Sequence, residues 1–353
     1  MSPPQETARS SGATAPEDAA AKVAGAAPAA AAAGGDERPV AVRTVDLHKT
    51  YSSPRGDVRA VQGVDLDVAQ GEFFGLLGPN GAGKSTTIGM LTTLVVPTSG
   101  RAEVCGLDVV RDQVEVKRRI GMVSQNNTLD NDLDAFENLE FRGRYFGMGR
   151  KDARRRADEL LEMFNLTDRR KGNPFEMSGG QAKRLMICRA LVHRPQVLFL
   201  DEPTAGLDPQ TRVNLWEVLR TLQADGQTTV LTTHYMEEAE ALCDRVAVVD
   251  HGKVLASGTV DGLKSSAGAD TVITVTYDGP PPDGVAALRE HAAVGRVEIT
   301  GRQVRVFARE ADGVLGDLVA IGAAAGVGVT DAAQLRPSLE TVFLTLTGRE
   351  YRE

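Results

Sequence analysis

Residues 78–86 place the strongest constraint on what this chain can fold into. They read GPNGAGKST and match G-x-x-x-x-G-K-[ST], the pattern of a loop that binds phosphate groups. The mostly apolar segment Glu72–Leu77 predicts a short buried strand before the loop, and Thr86–Leu94 predicts a helix after it. Strand, loop and helix is the context that the motif requires, so the sequence predicts a site for a nucleoside triphosphate. The candidate binding residues are Gly78, Pro79, Asn80, Gly81, Ala82, Gly83, Lys84, Ser85 and Thr86.

The residue types in this loop explain how it would hold phosphate. Gly78, Gly81 and Gly83 have no Cβ, so the backbone can bend there and approach a phosphate closely. The N–H groups of the loop then point at the phosphate oxygens from the start of a helix, where the helix dipole favours negative charge. Lys84 is expected to reach the β- and γ-phosphates, and the Ser85 hydroxyl is expected to bind Mg²⁺.

Two carboxylates form a second candidate cluster. Asp201 and Glu202 come directly after Val197–Leu200, a run of apolar residues that predicts a buried strand. A carboxylate at the end of such a strand is able to hold Mg²⁺ directly or through water. We therefore expect Asp201 to support the metal and Glu202 to polarise an attacking water.

The pattern along the chain divides it into three parts. Residues 1–39 are rich in Ala, Gly, Pro and Ser and predict a disordered tail. Residues 40–264 predict an α/β domain of the P-loop NTPase class, with a mostly parallel sheet, an antiparallel β portion and an all-helical insertion at about 126–177. Residues 265–353 predict a small α+β domain for packing or dimerisation, without a recognisable catalytic set.

Hydrophobic periodicity and turn residues predict the individual elements. Strands are expected at Val40–Leu47, Val64–Val68, Arg101–Val104, Ile120–Ser124, Val197–Leu200, Thr228–Thr232, Arg245–Val249 and Val254–Ala256. Helices are expected at Gln113–Arg119, Asp134–Phe146, Asp152–Asn165 and Met177–His193. A further helix is expected to start at Pro209, with Leu215, Leu219 and Leu222 as its apolar stripe. In the last part we expect a hairpin turn at Gly301–Arg302 and a helix at Gly313–Ile321.

Composition narrows the classes of partner. A formal net charge of −8 and a pI near 5.3 argue against nucleic acid, which usually binds a basic face. The three cysteines, Cys105, Cys188 and Cys243, are far apart, which suits a reducing compartment and no zinc site.

No apolar run in the sequence approaches the roughly 20 residues that a membrane-spanning helix needs. No basic region precedes a leader-like apolar stretch either, so a signal peptide is not expected. We expect a cytoplasmic protein. If it works at a membrane, another chain must cross that membrane.

With these motifs the chain resembles the nucleotide-binding subunit of an ATP-binding-cassette transporter. The Met177–Gln181 segment with its Ser-Gly-Gly-Gln signature is the diagnostic feature, because other P-loop ATPases lack it. The order and spacing of the family's motifs are kept from about Val40 to Gly258. The motifs that carry the resemblance are Gly78–Thr86, Gln125, Met177–Gln181, Leu200–Pro203, Ala205–Asp208 and His234.

The resemblance implies roles for residues around ATP and Mg²⁺. These residues are Tyr51 (stacking on adenine), Thr86 (the α-phosphate), Gln125 (Mg²⁺ or the lytic water), Asp201 (Mg²⁺), Glu202 (general base) and His234 (the γ-phosphate). The resemblance also implies a second ATPase subunit, arranged head to tail as a homodimer with two ATP molecules between the copies. Ser178, Gly179, Gly180 and Gln181 would cover the γ-phosphate bound by the partner copy, and Asp208 would help to join the two halves.

Two further segments resemble drug exporters of the daunorubicin-resistance type, namely Thr233–Glu238 and the ending Arg336–Gly348. This subgroup implies a separate membrane permease, with the ATPase attached peripherally to the cytoplasmic face of the cell membrane. Related ATPases serve exporters of polysaccharides or lipids, and an importer remains an alternative. A soluble ATPase that acts on ribosomes or on DNA is a further alternative. It fits poorly, because this chain has one loop motif, an acidic balance and only a short helical insertion.

Overall fold

The computed structural model describes residues 38–54, 56–266, 271–291, 293–308, 312–335 and 338–347. The disordered tail predicted at residues 1–39 lies outside the described residues, apart from Arg38 and Pro39. Within these ranges no helix combines the length and the apolar character that crossing a membrane requires.

Up to residue 266 the chain contains both strands and helices. Its strands are β1 (Val40–Tyr51), β2 (Val58–Ala69), β3 (Phe73–Leu77), β4 (Ser99–Val104), β5 (Leu107–Asp108), β6 (Ile120–Val123), β7 (Val197–Asp201), β8 (Thr228–Thr233), β9 (Arg245–Asp250) and β10 (Lys253–Thr259). Its helices are α1 (Lys84–Leu91), α2 (Gln113–Arg119), α3 (Ala135–Tyr145), α4 (Arg150–Met163), α5 (Gly179–Leu191), α6 (Pro209–Ala224), α7 (Met236–Leu242) and α8 (Val260–Ser266). Short 3₁₀ helices lie at Thr167–Arg169 and Pro174–Glu176.

A six-stranded sheet in the order β10–β9–β3–β8–β7–β6 forms the centre of this part. All its neighbouring pairs are parallel except β9 and β10. The predicted mostly parallel sheet is therefore confirmed. Because the carboxyl ends of parallel strands meet at one edge, the segments that follow β3, β7 and β8 lie close together there.

The side chains of β3 show how this sheet is buried on both faces. Phe73 and Leu77 belong to one hydrophobic cluster, whereas Phe74 and Leu76 belong to another. This is the period of two that a strand imposes. The first cluster includes residues of α3–α7, and the second includes residues of α1, β1, β2 and β4. The latter strands form an antiparallel sheet in the order β2–β1–β4–β5, the predicted antiparallel portion.

The helical insertion packs by the face that its periodicity predicts. Ala157, Leu160, Leu161 and Phe164 are all buried in the first cluster. The structure starts α4 at Arg150, two residues earlier than predicted, and α3 begins at an Asp134–Glu137 capping box. Sequence analysis predicted neither α7 nor α8. Both helices have seven residues, too few for a clear 3.6-residue period.

The last part of the chain follows a βαββαβ order. Its elements are β11 (Thr271–Tyr277), α9 (Gly284–Ala287), β12 (Val294–Thr300), β13 (Gln303–Ala308), α10 (Val314–Ala324), β14 (Val329–Leu335) and α11 (Leu339–Thr347). The antiparallel sheet runs β12–β13–β11–β14, which is a ferredoxin-like arrangement. The predicted hairpin at Gly301–Arg302 is confirmed: Thr300 pairs with Gln303, and Gly301 has φ +61°.

The terminal helix α11 packs against α7 and α8. Its buried Leu339 and Phe343 belong to the same hydrophobic cluster as Leu242 of α7. The Leu339 N–H donates to Glu240 Oε1 at 2.6 Å, and Lys264 Nζ lies 2.8 Å from Glu240 Oε2. The predicted domain boundary near residue 265 stays a prediction. The helix α11 follows this boundary in the chain but packs against residues that precede it.

We expect Phe343→Ala to destabilise the chain by about 3 kcal/mol, because it leaves a cavity where a nearly buried ring packs on the core (4% exposed). The matched control is Leu344→Ala on the same helix, where the side chain is 42% exposed. That change should cost less than about 1 kcal/mol. Urea denaturation of the full chain measures both. Equal effects would contradict the packing of α11.

Candidate nucleotide site

The phosphate-binding loop is held in shape by the chain itself. It leaves the buried strand β3 and enters α1, with Gly83 as the N-cap at φ +104°. A Cβ on Gly83 would lie 2.3 Å from the Ala60 carbonyl oxygen of β2, so no other residue fits there. Close contact with a neighbouring strand is thus a second reason for glycine here, besides the approach of a phosphate.

Lys84 lies at the centre of the loop. Its Nζ donates to the carbonyls of Gly78 (2.7 Å) and Pro79 (3.0 Å) and lies 3.6 Å from Glu202 Oε1. Burial lowers the pKa of Lys84, and the carboxylates of Glu202 and Asp201 oppose that shift. The loop therefore presents a buried cationic group beside N–H groups at a helix start, an arrangement that suits phosphate oxygens.

Ser85 and Asp201 come together as the sequence predicts. Ser85 Oγ donates to Asp201 Oδ1 at 3.1 Å, and Thr232 of β8 donates its hydroxyl to the same carboxylate oxygen. A hydroxyl and a carboxylate at this distance supply the oxygen ligands that Mg²⁺ prefers. The donor set thus fits a magnesium ion beside the phosphate loop.

Three side chains of the site approach the carboxylate of Glu202. Its carboxylate lies 3.3 Å from His234 Nδ1, 3.5 Å from Gln125 Nε2 and 3.6 Å from Lys84 Nζ. Its backbone has φ +46°, a conformation that costs a residue other than glycine about 1–2 kcal/mol. The Glu202 N–H holds that conformation by donating to the carbonyl and hydroxyl oxygens of Thr232, both at 3.1 Å.

The Ser178–Gln181 segment is organised separately from this cluster. Ser178 caps α5 by accepting from the Gln181 N–H, and the Gln181 side chain accepts from the Ser178 N–H, a complete capping box. Gly179 faces Leu207, and a Cβ on Gly180 would lie 2.2 Å from Thr211 Cγ2. The described contacts of Ser178 and Gln181 do not include the phosphate loop. The start of α5 is therefore not part of the Glu202 cluster of the same chain.

Asp208 lies beside the same segment. It is the N-cap of α6 and accepts from the Thr211 N–H at 3.0 Å. Hydrogen bonds from Thr211 lower the pKa of Asp208. The structure therefore places Asp208 next to the start of α5, as an exposed carboxylate at a helix start.

Known proteins are similar to this chain in sequence and in fold. A family model described as ABC transporter matches residues 61–205. Daunorubicin resistance ATP-binding protein DrrA3 of Streptomyces coeruleorubidus is 43% identical over 84% of this chain and 94% of its own. The chain belongs to the ABC transporter family. Nod factor export ATP-binding protein I of Rhizobium sp. (strain N33) is 41% identical over 88% of this chain and 98% of its own.

A solved structure supports the same assignment for the ABC fold. The dimeric post-hydrolysis state of the ATP-binding cassette MJ0796 bound to ADP and Pi aligns with a TM-score of 0.57. It is 31% identical and covers 62% of this chain and 98% of its own. The resemblance inferred from the sequence is confirmed: this is an ABC ATP-binding subunit, homologous to the ATPases of drug-resistance exporters.

Tyr51 lies at the end of β1, apart from the carboxylate cluster of this ABC subunit. Its side chain is 41% exposed, and Lys49 Nζ lies 5.0 Å from the ring centroid. The exposed ring is available for stacking on adenine, and that role stays a prediction.

Lys183 is a residue that the sequence analysis missed. It is only 6% exposed, and its Nζ donates to the carbonyls of Ser124 (3.2 Å) and Gln125 (3.3 Å). Burial lowers the pKa of Lys183, while the carboxylates of Asp201, Glu202 and Glu238 oppose the shift. Lys183 is three residues after the buried Gly180 and four before the buried Ile187, so it lies on the inner face of α5. This spacing could have indicated from the sequence that the lysine is buried.

We expect Lys84→Ala to reduce ATP hydrolysis by about 100-fold or more, because it removes the buried cation beside the phosphates. Release of inorganic phosphate by the full chain measures the loss. Lys253→Ala, an exposed lysine on β10, is the matched control and should keep wild-type turnover. Turnover near wild type for Lys84→Ala would contradict the assignment of this loop.

Proposed function

We propose that this ABC subunit hydrolyses ATP to power export of a drug or another hydrophobic compound through a separate membrane permease. The observation that carries the proposal is the convergence of Lys84, Gln125 and His234 on the buried carboxylate of Glu202. A carboxylate so placed at the edge of a parallel sheet, beside a phosphate loop, suits hydrolysis of a γ-phosphate.

The residues of the site divide the chemistry among them. Lys84 and the loop N–H groups bind the phosphates, with Thr86 at the α-phosphate and Tyr51 on the adenine. Ser85 and Asp201 hold Mg²⁺, which neutralises phosphate charge when bound.

Three further side chains act on the attacking water and the γ-phosphate. Glu202 accepts a proton from the water that attacks the γ-phosphate. Gln125 contacts Mg²⁺ or that water, and His234, whose Nδ1 lies 3.3 Å from Glu202 Oε1, contacts the γ-phosphate.

A second copy of the chain completes this site. Ser178 and the N–H groups of Gly179, Gly180 and Gln181 form a helix start whose described contacts do not include the phosphate loop of the same chain. In a head-to-tail homodimer each such start covers the γ-phosphate held by the other copy, and Asp208 joins the halves. The dimeric state of the similar cassette supports this arrangement. Hydrolysis removes the γ-phosphate and loosens the dimer.

Export of a drug is supported by the daunorubicin-resistance relative, which the chain covers almost fully. The Nod factor export relative favours a second candidate, in which the exported compound belongs to another class. In both cases the chain attaches through its permease to the cytoplasmic face of the cell membrane.

We expect Glu202→Gln to bind ATP, to lose hydrolysis by about 100-fold or more, and to accumulate as an ATP-dependent dimer, because the base is lost while the phosphate contacts remain. Light scattering with and without ATP measures the dimer. Glu237→Gln, an exposed neighbour on α7, is the control and should hydrolyse ATP like wild type. Absence of an ATP-dependent dimer, with or without the permease, would overturn the proposed head-to-tail homodimer.

The transport assignment is tested in the source cells. Deleting the chain should raise sensitivity to its exported compound, and wild type but not Lys84→Ala should restore resistance. The Glu202→Gln protein with ATP should capture a membrane protein with several spans from solubilised membranes. Capture of ribosomes or DNA-associated proteins instead would favour a soluble ATPase.

A further inference from the structure

One face of α6 contacts the α7 segment at three successive points. The Arg212 guanidinium carbon lies 4.1 Å from the Tyr235 ring centroid, and Trp216 Nε1 donates to Glu238 Oε1 at 3.2 Å. Arg220 donates through Nε and Nη2 to the Ala241 carbonyl, both at 3.1 Å. The three α6 residues are four apart and therefore share one face of the helix. We call these contacts the α6–α7 seam.

The first contact of the seam continues into the nucleotide site. The Tyr235 ring also packs on the ring of His234, with centroids 4.1 Å apart and planes at 39°. His234 Nδ1 in turn lies 3.3 Å from Glu202 Oε1. Arg212, Tyr235, His234 and Glu202 thus form a continuous series of side-chain contacts from α6 to the carboxylate of the site.

Arg212 is held at this place by packing and charge. Its Nε is buried, and no hydrogen-bond partner is described for that atom in the ranges that the structure covers. The cation lies over the face of Tyr235, and its charge acts on the buried carboxylate of Glu238. A planar guanidinium suits both contacts, because it stacks on an aromatic ring and keeps its charge when buried.

We propose that Arg212 is a positioning residue for ATP hydrolysis: stacked on Tyr235, it fixes the ring of His234 beside Glu202. The inference rests on the proposed roles of His234 and Glu202. Arg212 follows Thr211, which packs against Gly180 at the start of α5. The seam therefore links the helix start that faces the partner copy to the histidine of the chain's own site.

The test compares kinetic constants of full-length variants. Arg212→Ala and Tyr235→Ala should each lower kcat for ATP about tenfold and change KM less than about twofold, because the phosphate loop is untouched. Tyr235→Phe keeps the ring and should retain wild-type kcat. Arg212→Lys keeps the charge but loses the planar stack, and its kcat should fall between wild type and Arg212→Ala.

Arg220→Ala is the matched control, since it removes an arginine of the same helix that contacts the far end of α7. Its kcat should stay within about twofold of wild type. The double variant Arg212→Ala/Tyr235→Ala should lose no more than either single variant, because both break one contact series. Circular dichroism checks folding, and Arg212→Lys carries the test if Arg212→Ala does not fold.

Either of two results would overturn the proposal. Equal loss of kcat in Arg220→Ala and Arg212→Ala would mean that the seam only stabilises α7. Unchanged kcat in Tyr235→Ala would mean that His234 needs no stacking partner. Wild type and Lys84→Ala run in the same assay: if they hydrolyse ATP equally, the proposed function itself fails, whatever Arg212 does.

Discussion

The buried carboxylate of Glu202 is the interaction on which the site depends. A charge removed from water is unstable unless donors or opposite charges surround it. Here Lys84, Gln125 and His234 supply them, from three different segments of the chain. Their meeting at Glu202 requires β3, β8, β7 and β6 to lie in this order and parallel, so that their carboxyl ends share one edge. The central sheet is thus the frame that allows this carboxylate to be buried.

Much of this arrangement could be predicted from the sequence, because short segments with recognisable patterns determine it. The loop at Gly78–Thr86 has fixed spacing, and an apolar strand that ends in Asp201 and Glu202 places both carboxylates at a known edge. The parallel order then follows from alternating strands and helices. The amphipathic face of α4 was equally readable, since it extends over a whole helix.

Other features depend on side-chain contacts between distant segments, which local patterns do not encode. Lys183 donates to carbonyls almost sixty residues away, and Arg212 contacts Tyr235 although the strand β8 separates their two helices in the chain. The helix α7 was missed because seven residues are too few to show a helical period, and Glu238 on it is fully buried although glutamate is usually exposed. The packing of α11 on α7 could not be predicted, because the apolar residues of α11 do not indicate which surface they cover.

The seam has a consequence for spectroscopy. The chain contains a single tryptophan, and that residue is Trp216. Its indole is partly buried and bonded to Glu238, between the contacts of Arg212 and Arg220. Intrinsic tryptophan emission from the whole protein therefore originates at one point between two helices that border the nucleotide site. The molecule carries its own optical probe there, and a nucleotide titration can be followed without attaching a dye.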